Sequence, residues 1–548
     1  MIRKSVTAKT PKDGVRFVLT ASRAEMSQFG PEIGRPADGF RAFRCTFPRR
    51  LMRPFVERYF APMSIPNGAA KFAPYSLRKV EAVLARHFGP DQVIVAHPDR
   101  LEQVIGPGTE IVGITTMDPL GLAYVSTTYN SLVGLGGESV NAFEFGRLMV
   151  QLQRARSMHR FRIVVGGEAA WQIIEAGRQS DLGIDHLISG RAEAELGTVM
   201  EAILAGTAPP VVRMKPVDFS ATPIPLIRAA AVYGDTEITR GCGRGCAFCS
   251  PNLQRKDSVP LADILEEVRI NVEGGARSVF TISDDMFLYQ AGPGFAPNAE
   301  ALSRLYEAIA AQPGVEHIHL SHASLAAVLA EPYLLPELAP VLVRKSTRTL
   351  RGRPFATVEV GIESGSVGIM ERYMRGKAWP LDVADWPDIV AESLAAFNAH
   401  RIYPLGTIIL GWPGETGRDA EDTLRLVQRL HRQKARMFYT PIIFVPLERT
   451  PLGRSPRISF RDLTPVHLRT VQACWEHNIE IWGSGVRPAA LRLVGLTAKG
   501  IAAWRSLRGA ETAGLSHGFA NMLLRRRLPC DPRLCANDDP SSQSGKAD

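Results

Sequence analysis

From about residue 70 to 205 the chain alternates between segments of helical apolar period and short apolar runs of strand length. Tyr75 to Phe88 carries its apolar residues at helical spacing and leads into QVIVAHP, and DRLEQVIG leads into EIVGITTMD. A long helix over Ser139 to Met158 precedes RIVVGG, EAAWQIIEAG precedes HLISG, and EAELGTVMEAIL closes the series. The strand segments are apolar without strict alternation, the pattern of a parallel sheet covered by helices on both faces. Residues 1–60 add one strand, Val15 to Thr20, in otherwise irregular Gly-, Pro- and Arg-rich sequence.

A Pro- and Ala-rich stretch over 206–232 reads as a linker, and a second alternating series follows it. Its strands are TEITRG, SVFTISDD, VEHIHLS, ATVEVGIES, PLGTIILGW and MFYTPIIFV, with helices such as Leu261 to Glu273, Asn298 to Ala311 and Ala420 to Gln433 between them. Six βα units predict a partial (β/α)6 TIM-type barrel over 233–455, with its chemistry at the carboxyl ends of the strands. The expected fold class is α/β. An N-terminal extension (1–60) precedes a Rossmann-like (flavodoxin-like) parallel-sheet domain (61–205), the linker and the barrel. A helical C-terminal region (456–535, helices over Thr464 to Ile481 and Thr497 to Leu507) and a disordered tail (536–548) complete the chain.

Composition adds exclusions. With 548 residues, 45% hydrophobic and 22% charged, the chain is an ordinary globular sequence too long for one core. No apolar run reaches the ~18 residues of a membrane span, and the basic N-terminus lacks the apolar region of a secretory signal, so the cytoplasm is expected. The net charge of +10 is spread among 55 acidic residues, and the clusters at Arg49–Arg50 and Arg525–Arg527 are short. That is the pattern of a solvated surface, and a nucleic-acid partner is not expected.

Cysteine usage is where chemistry enters. There are seven, and Cys242, Cys246 and Cys249 fall together in ITRGCGRGCAFCSP, a C-x3-C-x2-C array directly after the first barrel strand. Three thiolates can hold three irons of a [4Fe–4S] cube and leave the fourth iron open. Gly241, Gly243 and Gly245 give the loop the freedom to wrap such a body. An open iron can chelate the amino and carboxylate groups of S-adenosylmethionine (SAM) and pass an electron to its sulfonium. Structural zinc is the alternative, but it wants four Cys/His ligands and no fourth lies nearby.

This array resembles that of the radical SAM superfamily, and the resemblance extends over about residues 235–450. It implies that the three cysteines are the catalytic cluster ligands and that Phe248 lies beside the adenine. Ser283, Asp284 and Asp285 end the second strand where the family holds the SAM amino group, although SDD replaces the usual Gly-Gly-Glu. Glu363 and Ser364 of GIESGS would face the SAM ribose or carboxylate, and GWPGET, beginning at Gly411, resembles the family's adenine-contact segment. An electron donor such as flavodoxin or ferredoxin is implied as a partner.

A parallel α/β domain ahead of such a barrel resembles the cobalamin-binding subfamily, on the segments EIVGITTMDPLG, RIVVGGEAAW and HLISGRAEAEL. Ligands of these sheets bind at carboxyl strand ends, where Thr115, Thr116, Asp118, Gly166, Gly167 and Gly190 are the corrin-face candidates. The alternative is a scaffold without ligand. No D-x-H-x-x-G occurs, so cobalamin would lack the histidine that motif supplies, and His186 belongs to a strand.

His317 and His319 share one face of the third barrel strand, with His322 after it; they read as structural histidines unless that face is the lumen. Cys530 and Cys535 have metal-compatible spacing but only two thiols, and Cys474 reads as a small buried hydrophobe. The domain pairing implies a cobalamin-dependent methyltransferase: SAM cleavage gives a 5′-deoxyadenosyl radical, a substrate carbon loses hydrogen, and methylcobalamin supplies the methyl. The substrate is a small molecule, lipid or peptide. Ring formation, rearrangement or aminocarboxypropyl transfer, including transfer to a thiol-bound arsenical, would keep the cluster and change the product. A non-enzymatic iron–sulfur sensor is the remaining reading.

Overall fold

The non-alternating apolar runs of the first series pair as parallel strands, because residues on both of their faces find helices to pack against. In this computed structural model the described residues are 13–29, 43–65, 67–133, 138–214, 224–251, 256–459 and 462–482. Cys530, Cys535, the helix expected over Thr497 to Leu507 and the tail over 536–548 lie outside them. The N-terminal sheet contains β1 (Phe17–Thr20), β2 (Val93–Val95), β3 (Ile111–Thr115), β4 (Arg162–Gly166), β5 (His186–Ser189) and β6 (Val211–Arg213). All pairings are parallel and the spatial order is β2-β1-β3-β4-β5-β6, the flavodoxin-like order extended by one strand. Val18, Val112, Ile163 and Leu187 pack with Phe145, Leu148 and Leu152 of the helix Val140–Arg156 on one face. On the other, Phe17, Leu19, Val164 and Ile188 pack with Leu77 and Leu84 of Tyr75–Phe88 and with Met200 of Leu196–Leu204.

Four details differ from the sequence reading. The sheet begins with β1, ahead of the boundary expected at residue 61, because an isolated four-residue apolar run carries no neighbouring helical period to tie it to the domain. The supposed linker supplies β6, a Pro-flanked edge strand of the kind that composition alone makes look like a loop. The segment DRLEQVIG forms a 3-10 turn, Pro98–Gln103, rather than an α-helix. Helices Arg49–Val56 and Tyr124–Val133 were not anticipated.

In the second series β7 (Asp235–Glu237) leads through a short antiparallel pair, β8 (Thr239–Arg240) and β9 (Asp257–Ser258), to β10 (Ser278–Ile282) and β11 (His317–Leu320). A hairpin of β12 (Arg348–Leu350) and β13 (Arg353–Phe355) precedes β14 (Glu359–Glu363), β15 (Leu405–Leu410) and β16 (Phe438–Ile443). β7, β10 and β11 form one parallel sheet, and β14, β15 and β16 another. A parallel bridge between His322 and Glu359 joins the two into a six-stranded arc. The three expected helices form as Leu261–Glu273, Ala299–Ala310 and Gly417–Arg432, the last begun by a Thr416/Asp419 capping box. Pro465–Trp482 is helical as expected, and no described helix is long and apolar enough to cross a membrane.

Both sheets belong to one compact unit, Met1–Cys474. A buried ion pair joins them. Lys79 of Tyr75–Phe88 meets Glu267 of Leu261–Glu273, and the same carboxylate accepts from Tyr75 Oη at 2.8 Å and the Ile227 amide at 3.1 Å. Removing one partner of such a pair strands the other charge without solvent. Glu267→Ala is therefore expected to lower unfolding free energy by about 3–5 kcal/mol, read from denaturant melts; a loss near zero would show that the layers are held by other contacts.

Candidate active site

The cysteine loop is shaped by Gly241, Gly243 and Gly245, whose φ angles of 74°, 75° and 82° are left-handed and unfavourable for other residues. Asp284 Oδ2 accepts the Gly241 amide at 2.8 Å. Between the first two cysteines, Arg244 is buried in the barrel wall. It donates to the carbonyls of Gly376 (3.2 Å) and Trp379 (2.8 Å) and to Ser324 Oγ (3.2 Å), faces Asp285 at 3.4 Å and lies over the Phe295 ring at 4.7 Å. The Ala247 amide donates to the Tyr373 carbonyl at 2.8 Å.

Cys246 is buried, and Cys242 and Cys249 are partly so. Burial pushes all three thiols up, Cys242 to about 12; Asp285 and Cys246 add to the effect on Cys242, and Cys246 and Cys242 to that on Cys249. The three sulfurs therefore share one neighbourhood. Among the described residues no three His, Cys, Asp or Glu converge as a single-ion site. Three sulfurs with no fourth ligand among the described residues, on a loop with open space beside Gly243 and Gly245, are a donor set that fits a cube with one free iron.

Along β14 side chains alternate, and a positive φ of 63° at Glu363 turns its carboxylate toward the lumen. Lys377 Nζ lies 3.3 Å from Glu363 Oε1, and Thr407 Oγ1 of β15 donates to Glu363 Oε2 at 3.0 Å. A Cβ at Gly361 would sit 2.1 Å from Glu363 Oε1 and 2.5 Å from Lys377 Nζ, so a larger residue there would displace the pair. Burial opposes the Lys377 charge, but Glu363, Cys246 and Cys249 outweigh it and hold its pKa above the ordinary lysine value. Ser364 points the other way: it is fully buried, its hydroxyl meets Thr423 Oγ1 at 3.1 Å, and its carbonyl accepts from Trp386 Nε1 at 2.9 Å. It belongs to the wall and not to a SAM-facing surface.

The SDD segment is similarly spent. The Ser283 hydroxyl is buried against Thr239 Oγ1, and Asp285 accepts from the Phe287 (3.2 Å) and Ser324 (3.1 Å) amides while facing Arg244. These residues support the cysteine loop, which explains how SDD stands where the family pattern differs. The Phe248 ring meets Trp412 edge-on at 5.2 Å, and Trp412 stacks on Tyr373 at 5.8 Å. Gly411, at φ 76°, donates its amide to Glu415 Oε2 at 2.9 Å and so sets the turn that brings Trp412 there. On β10 the Thr281 hydroxyl meets Tyr306 of the outer helix at 3.1 Å. Phe280 and its stacked neighbour His319 (6.5 Å) therefore face inward, with His317 on the same face. His322 caps the strand end, 3.7 Å from Glu359.

At the carboxyl ends of β1, β3, β4 and β5 lies a cavity of about 430 Å³, within the size range of ligand pockets. Thr115, Gly166, Gly167 and Gly190 line it, and so do Ser250, next to Cys249, and Arg449 from the barrel side. Two corrin-face candidates do not. Asp118 accepts from the Ala123 amide (3.1 Å), Gln172 Nε2 (2.8 Å) and the Ser126 hydroxyl, which makes it the brace of a helix start. Thr116 is buried, and a Cβ on Gly167 would come within 2.7 Å of its carbonyl oxygen, so Gly167 serves loop packing as well as the cavity.

Lys377, Trp412 and Glu25 escaped the sequence reading. Only Trp412 had a signal, its place inside GWPGET. Glu25, after β1, accepts the amide of the exposed Met117 through Oε1 at 2.7 Å. Oε2 finds no partner among the described residues, and burial raises the acid to about 7.

Residues 236–427 match the Radical SAM superfamily. The curated relatives include tRNA-2-methylthio-N(6)-dimethylallyladenosine synthase of Halorhodospira halophila, 29% identical over 213 residues, 38% of this chain and 40% of that protein. Ribosomal protein uS12 methylthiotransferase RimO of Leptospira biflexa is 25% identical over 214 residues, 38% of this chain and 42% of that protein. The chain thus spans about two fifths of the length of the curated relatives it matches. Among solved structures, the radical S-adenosylmethionine methyltransferase TsrM from Kitasatospora setae, with cobalamin and a [4Fe–4S] cluster bound, aligns at a TM-score of 0.49 and 14% identity, covering 80% of this chain and 77% of that one.

A raised carboxyl pKa means that the native state keeps a proton the unfolded chain releases. The stability this gives is complete below the unfolded value of 4.5 and is lost as pH rises through about 7. Glu25→Gln, neutral throughout, is expected to match the parent at about pH 4 and to exceed it by about 1–3 kcal/mol at about pH 8. Equal melts at both pH values would place an ionised Glu25 in the native protein.

Proposed function

We propose that this chain, an enzyme of the radical SAM superfamily, is a cobalamin-dependent methyltransferase acting on an unactivated carbon of a small-molecule, lipid or peptide substrate. The observation that carries the reading is the cavity at the N-terminal strand ends, whose wall includes Ser250, the residue after Cys249. A ligand of the sheet and a cluster on the cysteine loop would thereby share one chamber. When bound, the cluster supplies an electron to the SAM sulfonium and the corrinoid supplies a methyl group.

The protein's own part is placement and exclusion of water. Cys242, Cys246 and Cys249 would hold the cluster on a loop that Arg244 and Asp284 fix to the barrel. Phe248, with Trp412 packed against its ring, offers an aromatic side chain to an adenine, and Glu363, steadied by Lys377 and Thr407, offers a carboxylate to ribose hydroxyls or an ammonium. Thr115, Gly166 and Gly190 give the sheet side of the cavity a wall low enough for a bulky ring to approach. A flavodoxin or ferredoxin as electron donor and a cytoplasmic setting belong to the same reading.

Anaerobic reconstitution with iron, sulfide and hydroxocobalamin tests it. The parent protein should release 5′-deoxyadenosine from SAM on reduction, and Cys246→Ala should release none. Cobalamin absorbance should co-purify with the protein, and products should gain one methyl group. A product gaining sulfur as well would favour methylthiolation, the activity in the relatives' names. Cleavage retained in Cys246→Ala would overturn the cluster assignment, and absence of bound cobalamin would overturn the N-terminal one.

A further inference from the structure

The six-stranded arc has an open seam, since β16 ends its sheet without a further strand among the described residues. An edge of this kind leaves backbone amides that need partners. The helix Tyr124–Val133, which follows β3 of the N-terminal sheet in the chain, supplies one: Thr128 Oγ1 accepts the Ile443 amide of β16 at 2.9 Å and donates to the Tyr124 carbonyl at 2.7 Å. One turn earlier on the same helix, the Tyr124 side chain reaches the cysteine loop. Its hydroxyl donates to the Phe248 carbonyl, between Cys246 and Cys249, at 3.4 Å. That is long for a hydroxyl donor, so position counts for more than bond strength. Tyr124 is half-buried, with its hydroxyl against the cysteine loop.

The start of the helix is pinned as firmly as its contacts. Asp118 accepts from the Ala123 amide and the Ser126 hydroxyl, and Gln172 ties Asp118 (2.8 Å) to the Leu120 amide (3.0 Å). Tyr124 is therefore carried from the carboxyl end of β3 to the cysteine loop on a braced arm. Packing alone would be met by phenylalanine, and the hydroxyl is what touches the loop.

We infer that Tyr124 is a positioning residue of the cluster chamber, through which the N-terminal layer sets the Phe248–Cys249 end of the loop and hence the docking of SAM. The inference rests on the radical SAM reading but not on cobalamin. Its test uses the full chain, reconstituted anaerobically with iron and sulfide, and needs no methyl acceptor. Tyr124→Phe should keep its melting curve and iron content. The electron paramagnetic resonance spectrum of its reduced cluster should respond differently to added SAM, and its apparent SAM affinity should fall about threefold, the low end of what one hydrogen bond is worth. Thr128→Val, which keeps Tyr124 but releases the Ile443 amide, should shift the same spectrum in the same direction. If both variants show the parent's SAM-dependent spectrum and an affinity within about twofold of it, the inference is overturned. A parent protein whose cluster gives no SAM-dependent signal would instead sink the reading under Proposed function, so the two failures are distinguishable.

Discussion

A guanidinium sealed inside a protein needs protein acceptors for its donors, and at the centre of the cysteine loop Arg244 places both terminal nitrogens on them while its Nε finds none among the described residues. Its acceptors come from separate stretches of chain: Ser324 after β11, the Gly376 and Trp379 carbonyls after β14, and, across an ionic gap, Asp285 after β10. The face of the group lies on Phe295, a contact suited to a weakly hydrated cation. Anchoring this one side chain ties segments that follow three barrel strands to the loop. The position of Gly376 is set by the same requirement, since a Cβ there would fall 1.9 Å from the Arg244 carbonyl oxygen. Three sulfurs can be held at cluster spacing only if their loop does not wander, and Arg244 is what stops it.

The elements of the fold were legible because each is a local pattern. Helical and non-alternating apolar runs marked both series, and the cysteine array stood out by spacing alone. What escaped was of two kinds. Short pieces without a period of their own, β1 and β6, carry no local signal that ties them to the sheet. Side-chain direction at strand ends was the other. Glu363 was read as chamber-facing together with Ser364, yet alternation along β14 sends neighbours to opposite faces, and the positive φ at Glu363 sharpens the turn. Asp118 sat at the expected strand end but is turned inward by Gln172 and Ser126, which no spacing announces. Thr128 and Ile443 meet across 315 positions of sequence, a separation at which periodicity carries no information.

The two layers meet through polar contacts as well as apolar ones. The Lys79–Glu267 pair with Tyr75 and the Ile227 amide, Arg78 on the Ala230 carbonyl at 3.0 Å, and the Thr128–Ile443 bond are all buried. Buried polar contacts of this geometry are unforgiving of slippage, because a small displacement leaves groups unsatisfied that water cannot reach. They favour one relative placement of sheet and barrel, in which Ser250 of the cysteine loop meets the cavity at the sheet's strand ends.

The cavity takes part of its wall from Leu447, Glu448 and Arg449, and Arg449 stands over Gly190, where a Cβ would be 3.1 Å from its guanidinium. The pocket is thus no property of the flavodoxin-like sheet as a portable module. Cut free of the barrel, that sheet would present an open trough where the intact chain has an enclosure. Whatever selectivity the enclosure has was shaped by both halves of the polypeptide together, and grafting either half elsewhere would leave it behind.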